Sequence, residues 1–243
     1  MKPNSPPAHS DRVLDEEEAV AYPRAQIELN DFLSVPPNMN ILFWNYRGIA
    51  RPSFRNHLAY LINAHNPSIV TLSETIVTSP NSLTIVRKLP FDSFEVLDPV
   101  GFTGGIIILW NSGKATVTLL NKHSQLINVV VQVPLTSFKF LLYAIYASPK
   151  FRLCRTLWTE LVNISDNHNL PWVFMGDFNE VTCPSEKHGA RGIKLNRADL
   201  YKTTFDSCDL IDIGFSGSKF TWTNKLRVNP ILERLDRAWV NQL

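Results

Sequence analysis

Residues 175–180, MGDFNE, follow the apolar run LPWVF and set an Asp and an Asn one aromatic apart. The Asp177 carboxylate could orient or deprotonate an attacking water, and the Asn179 amide could donate a hydrogen bond to a substrate. Four more polar residues occupy comparable places. Asn45 closes MNILFWN, Glu74 closes SIVTLSE, Tyr146 closes FKFLLYAIY, and Asp236 lies inside the apolar run RLDRAWVN. Glu74 with Asn45 nearby would offer the hard oxygen donors that Mg²⁺ prefers, and such an ion polarises phosphoryl oxygens and stabilises a leaving oxygen. Singly, each residue has a plainer reading. Asn45, Asp177 and Asn179 fit turns, Glu74 fits a solvated strand end, and Tyr146 fits an aromatic at the core edge. Spacing alone reaches no further than an α/β sandwich with the makings of a hydrolase.

The elements that must position these groups can be read from periodicity. MNILFWN and SIVTLSE are predicted strands, and between them Phe54, Leu58, Leu61 and Ile62 recur at helical spacing after Pro52. A series of strands follows: FEVLDP, GGIIILW, ATVTLLN, LINVVVQV and FKFLLYAIY. Leu153, Leu157, Leu161 and Ile164 mark a helix before WVFMGD. Another helix is predicted from about Arg197 to Cys208, with Asn196 as its N-cap. KFTWTN and RLDRAWVN read as two more strands. Many β-runs with a few helices between them predict two packed mixed sheets flanked by helices, in one domain. Runs apolar on both faces, such as GGIIILW, fit sheets buried between layers.

Composition narrows the class. A chain of 243 residues with 44% hydrophobic and 19% charged content suits an ordinary globular protein. No apolar run approaches the roughly 20 residues that span a bilayer, so no membrane association is expected. The N-terminus has no basic-then-apolar leader, and an intracellular, nuclear protein is expected. Three separated cysteines, Cys154, Cys183 and Cys208, argue against a disulfide framework or a zinc site and for buried, inert thiols. Residues 1–38 hold three basic and seven acidic residues, several prolines and the run DEEE, and are predicted to be a mostly disordered arm. The remaining 205 residues carry 21 basic and 15 acidic side chains, a mildly basic body compatible with a polyanionic ligand.

Taken in order, WNYRG, LSET, YAIYASP, MGDFNE, KFTWTN and RLDRAWVN resemble the exonuclease–endonuclease–phosphatase family. The closest resemblance is to the apurinic/apyrimidinic-like endonuclease domain of plant LINE-type (non-LTR) retrotransposons, over roughly Met39 to Leu243. It implies a four-layer α/β sandwich and Mg²⁺-dependent (alternatively Mn²⁺-dependent) cleavage of phosphoester bonds, with DNA as partner and no small-molecule cofactor. By position, Asn45 and Glu74 are similar to the metal-side pair, and Tyr146 to the tyrosine near the scissile phosphate. Asp177 and Asn179 are similar to the pair that aligns the water and binds the phosphate. Asp236 is similar to the aspartate that orients a catalytic histidine, the alternative being an ion pair with Arg234 or Arg237. Trp222 resembles an aromatic at the DNA-binding edge, with a packing role as the alternative.

Two positions depart from the family pattern. Arg47 stands where some repair enzymes carry an acid, which weakens a metal site and offers a phosphate contact. The family closes with a Ser-Asp-His strand beyond the RLDR-type motif, whereas this sequence stops at Leu243, seven residues after Asp236. None of the six histidines (His9, His57, His65, His123, His168 and His188) lies in that context. A domain over 39–243 lacking that last strand and its histidine is therefore expected. Three functions remain open: a DNA endonuclease, a catalytically impaired retroelement remnant that at most binds nucleic acid, and a small-molecule phosphoesterase. Lys187, Arg191, Lys194 and Arg197 cluster after the GDFNE motif, with Lys225 and Arg227 in the next turn. They are candidate DNA-backbone contacts or simply solvated side chains.

Overall fold

The first long apolar run folds as a strand because its alternate side chains find two different cores. In the computed structural model, which describes residues 25–28, 39–165 and 169–241, β2 (Asn40–Asn45) sends Ile41 and Phe43 to one side and Leu42 and Trp44 to the other. β3 (Ile69–Ser73) and β5 (Ile106–Trp110) are buried at every position for the same reason. With β1 (Ala25–Glu28) and β4 (Ser93–Leu97) they form a five-stranded sheet in the order β1-β2-β3-β5-β4. Within the predicted arm, residues 25–28 thus pair antiparallel with β2; the rest of that prediction lies outside the described residues.

The second sheet has six strands in the order β11-β14-β9-β8-β7-β6. They are β6 (Thr116–His123), β7 (Leu126–Gln132), β8 (Lys139–Tyr146), β9 (Trp172–Asp177), β11 (Leu210–Asp212) and β14 (Asp236–Asn241). Ile127, Val129, Val131, Leu142, Ala144, Val173 and Met175 on its inner face pack against Ile41, Phe43, Ile69, Ile106 and Ile108 of the first sheet. The outer faces are closed by helices. Phe54, Leu58 and Leu61 of α1 (Phe54–His65) and Val86 of α2 (Ser79–Val86) cover the first sheet. Cys154, Leu157, Trp158 and Leu161 of α3 (Phe151–Ser165), with Tyr201 and Phe205 of α4 (Leu195–Ser207), cover the second. The result is the expected four-layer order, helices, sheet, sheet, helices. A small third sheet, β10 (Lys187–His188), β13 (Leu232–Glu233) and β12 (Trp222–Thr223), sits beside it.

The short strands β10, β11 and β13 are not among the predicted runs, and three further details differ from the prediction. α4 begins one residue before Asn196, so the N-cap is Lys194, with extended backbone and no capping side-chain bond. The helix start is instead fixed by burial of Ala198 and Tyr201 against the outer core. α2 is an additional helix: SPNSLTIV has β-branched residues and no apolar stripe, and it buries only Ser82 and Val86. The run KFTWTN contributes a strand of only two residues.

Candidate active site

The strand order brings the polar ends together. β2 and β3 run parallel, with Asn45 beside Ser73, which leaves Glu74 on the next residue at the same edge. In the second sheet β8 and β9 are parallel and β14 is antiparallel to β9, so Tyr146, Asp177 and Asp236 lie side by side in register. The Gly before Asp177 is required there. A Cβ on Gly176 would sit 2.0 Å from the Ile145 carbonyl oxygen.

Two hydrogen bonds tie one sheet edge to the other. Asn45 Nδ2 donates to Asp177 Oδ2 at 2.8 Å, and the Tyr146 hydroxyl donates to Glu74 Oε1 at 2.9 Å. Asp177 Oδ1 accepts from the Asn179 backbone N–H at 2.9 Å, while Asn179 Nδ2 donates to the Ala147 carbonyl at 2.8 Å. One amide N–H of Asn179 is therefore committed to holding the loop. Burial pushes the Asp177 carboxyl well above its ordinary range, and the charges of Asp236 and Glu74 add to the rise. Burial, followed by the Glu74 charge and hydrogen bond, likewise raises the Tyr146 hydroxyl. Glu74 and Asn179 hold left-handed backbone, φ +51° and +49°, where ordinary side chains are uncommon. Such conformations persist only where the surroundings impose them.

The donors present can be tested against a divalent cation. Asn45 Oδ1 is buried and makes no hydrogen bond, so an amide oxygen is left for a ligand. Glu74 is nearly buried, and its Oε2 lies 3.2 Å from the Arg47 Nε, whose side chain is 65% exposed. An ion pair that exposed is weak and displaceable. Among the described residues no group of three or more His, Cys, Asp or Glu is arranged around a metal. One carboxylate and one amide suit Mg²⁺, which keeps several waters and takes further oxygens from phosphate. The residues fit that ion.

Asp236 is flanked by a clamp of four charges, of which Glu186, Arg234 and Arg237 are buried and Asp212 is partly exposed. Arg234 reaches Glu186 Oε1 at 3.1 Å and Asp212 Oδ1 at 2.7 Å; Arg237 contacts Glu186 Oε2 and reaches Asp212 Oδ2 at 2.7 Å. Glu186 sits in a 3-10 turn, Pro184–Glu186, and also accepts from the N–H and hydroxyl of Thr182. Burial opposes its ionisation, but Arg237 and Thr182 hold its pKa at about 2. Both arginines that flank Asp236 in sequence are thus engaged with Glu186 and Asp212. Thr221 Oγ1 accepts from the N–H groups of Leu235 and Asp236, which places the neighbouring Trp222, half-buried opposite Glu233, beside this strand.

The expected basic residues gather next to Asn179. A cleft of about 570 Å³ is lined by Asn179, Lys187, Arg191, Lys194 and Arg197, with Val181 and Leu235 among its apolar walls. Two of the cations have carboxylate partners. Lys187 Nζ bonds Glu233 Oε1 at 2.6 Å, and Arg197 pairs with the buried Glu180. Arg191 and Lys194 are exposed, as are Lys225 and Arg227 on the turn between β12 and β13. One neighbour of the site went unpredicted. Phe102 is 90% exposed on a turn closed by the Val100 and Thr103 bridge, and a Cβ on the nearby Gly104 would come within 3.4 Å of the Tyr146 ring. The glycine-flanked aromatic in GFTGG was the available signal.

The sequence profile of the Endonuclease/Exonuclease/phosphatase family matches residues 39–243. No curated protein matches the chain. Among solved structures, the endonuclease domain of TRAS1, a telomere-specific non-LTR retrotransposon, is similar at a TM-score of 0.60 and 12% identity, over 83% of this chain and 84% of that one. The AP endonuclease LMAP from Leishmania major superposes at 0.64 with 14% identity, over 93% and 90%. TDP2 from D. rerio, solved with a single-strand DNA product, gives 0.57 and 11%, over 85% of each chain.

Proposed function

The chain belongs to the endonuclease/exonuclease/phosphatase family, and from that membership and its site we propose that it is a Mg²⁺- or Mn²⁺-dependent DNA endonuclease of the plant LINE retrotransposon type, acting on nuclear DNA. One observation carries this reading: the Asn45–Asp177 and Tyr146–Glu74 hydrogen bonds join two sheets at a single polar edge. The solved structures named above include two endonucleases and a protein holding a DNA product, which supports a nucleic-acid substrate.

Asn45 and Glu74 would hold the cation, which supplies charge neutralisation at a phosphodiester oxygen when bound. Asp177, fixed on Oδ2 by Asn45 and on Oδ1 by the Asn179 N–H, orients the attacking water and takes its proton. Its raised pKa makes it a stronger base than a solvated carboxylate. Tyr146 holds Glu74 through its hydroxyl, and Asn179, which lines the adjoining cleft, would contact the phosphate. Arg191 and Lys194 attract the flanking backbone, and exposed Phe102 offers a face for stacking on a base.

The purified chain should nick supercoiled plasmid when Mg²⁺ is added, and Asp177→Ala should abolish nicking. Wild-type cleavage no greater than that of the variant would overturn the enzyme reading. A second reading, DNA binding with impaired turnover, is favoured by where the histidines of the described residues sit. His57 and His65 belong to α1, His123 pairs with Glu160, and His188 lies on β10. If that reading holds, added imidazole should raise nicking by the wild type and leave Asp177→Ala inactive. Full activity with no response to imidazole would exclude it.

A further inference from the structure

Strand β1 fixes where the residues before it join the domain. It pairs antiparallel with β2, Ala25 opposite Phe43 and Glu28 opposite Asn40, so the chain that precedes Ala25 is delivered to the Asn45 end of β2. That end is the polar edge of the site. Asn45 bonds Asp177, and Asp177 accepts from the Asn179 N–H, so the cleft that Asn179 lines begins one carboxylate away.

The two parts of the chain brought towards each other there are opposite in charge. Asp15, Glu16, Glu17 and Glu18 are four consecutive carboxylates, seven to ten residues before Ala25. In the cleft, Glu233 and Glu180 already neutralise Lys187 and Arg197. Arg191 and Lys194 are exposed, and among the described residues no carboxylate forms an ion pair with either. The lining therefore keeps two cations to offer an anion.

Reach and tethering favour their meeting. A chain extends at most about 3.3–3.6 Å per residue, so seven to ten residues span up to about 25–35 Å, enough to pass from the edge of β2 into a cleft that adjoins it. A linker this short holds its attached group at an effective concentration on the order of 1 mM, so even a weak intrinsic affinity fills the cleft for much of the time. Carboxylates facing cations add electrostatic complementarity, which salt screens. We propose that the acidic run 15–18 docks on Arg191 and Lys194 of its own molecule, and that a nucleic-acid backbone must displace it to enter the cleft. The competition rests on the reading of this cleft as a phosphate path; the docking does not.

A carbodiimide, which joins a lysine amine to a carboxylate in contact with it, tests the docking on the full chain without DNA. Mass spectrometry should find Lys194 joined to the run 15–18 at low salt and not at about 1 M salt. In an equal mixture of isotope-labelled and unlabelled protein, both joined peptides should come from one molecule. Joining to Lys225 instead, joining between molecules, or no joining overturns the proposal. A second measurement neutralises the run in the full chain with Asp15→Asn, Glu16→Gln, Glu17→Gln and Glu18→Gln. In EDTA at low salt this variant should bind a short DNA duplex about threefold to tenfold more tightly than the wild type, the gap closing as salt rises. Arg191→Ala with Lys194→Ala should erase most of that gain. An equal gain in that background would mean that net charge acts at long range, and the docking would be overturned. If no variant binds DNA, the nuclease reading falls, while the Lys194 cross-link still upholds the docking.

Discussion

Asn45 and Asp177 stand 132 residues apart in sequence and 2.8 Å apart in space, joined by a hydrogen bond from the amide of one sheet to the carboxylate of the other. The bond uses the amide nitrogen, which leaves Asn45 Oδ1 unengaged and the carboxylate oriented. A single side chain thus holds the Asp177 carboxylate with its nitrogen and keeps its oxygen open to a ligand. Hydrogen bonds to a charged group contribute about 1.5–3 kcal/mol, enough to hold this geometry against rotamer freedom.

The raised Asp177 pKa carries a cost to stability. An acid whose folded pKa lies above its ordinary 3.8 favours the fold while protonated, so stability is lost as pH rises from that value through the folded pKa. Asp177→Asn removes the crowding with Asp236 and Glu74. In metal-free buffer its melting temperature at pH 7 should exceed the wild type's, and the two should converge near pH 4. A variant that is less stable at both pH values would contradict the charge argument.

The clamp around Asp236 has the opposite sign. Glu186 is held at about 2, below its ordinary 4.5, so the stability it adds is present above 4.5 and lost as pH falls towards 2. Glu186→Gln should flatten the acid-unfolding curve in that window. Arg237→Met leaves Glu186 and Asp212 short of a buried partner and should cost about 3–5 kcal/mol in denaturant unfolding. Loss of less than about 1 kcal/mol would show that the ring of ion pairs is not formed in solution.

DNA affinity measured in EDTA should fall with salt, because phosphate contacts release counterions. Arg191→Ala and Lys194→Ala should each lower the log–log salt slope by about one, weakening binding to all sequences alike. Lys187→Ala should change the slope less, since Glu233 already neutralises that cation. Equal slopes for all three variants would remove the cleft from the DNA path.

Thiol reactivity separates the cysteines. Burial pushes Cys154 up to about 12, with the nearby Glu180 charge adding to it, and Cys208 is also buried. Cys183 is half-buried, against the expectation of three buried thiols, and touches Ser185 at 3.2 Å. At pH 8 a thiol reagent should label one cysteine in the native protein and three in guanidinium. Rapid labelling of Cys154 in the native state would mean that α3 opens readily.

Most of the site was legible residue by residue. Asn45, Glu74, Tyr146 and Asp177 each close an apolar run, and a residue at the end of a buried strand must emerge at a sheet edge. The apolar runs also determined the strands and, through their two-sided burial, the sandwich. The clamp was not legible, because Glu186, Asp212, Arg234 and Arg237 meet only once β11 and β14 pair. From sequence alone, Asp236 could be assigned to either flanking arginine. Asn196 failed as a cap because burial of Tyr201, not the capping preference of an Asn, sets where α4 starts. Lys187, by sequence a candidate phosphate contact or a solvated side chain, acquires Glu233 as a partner only because β10 pairs with β13. Local pattern determines which face a side chain occupies, since alternation and helical spacing are properties of the chain itself. Which charges neutralise one another was decided only by the tertiary structure, because Coulomb attraction acts on distances that strand order alone creates.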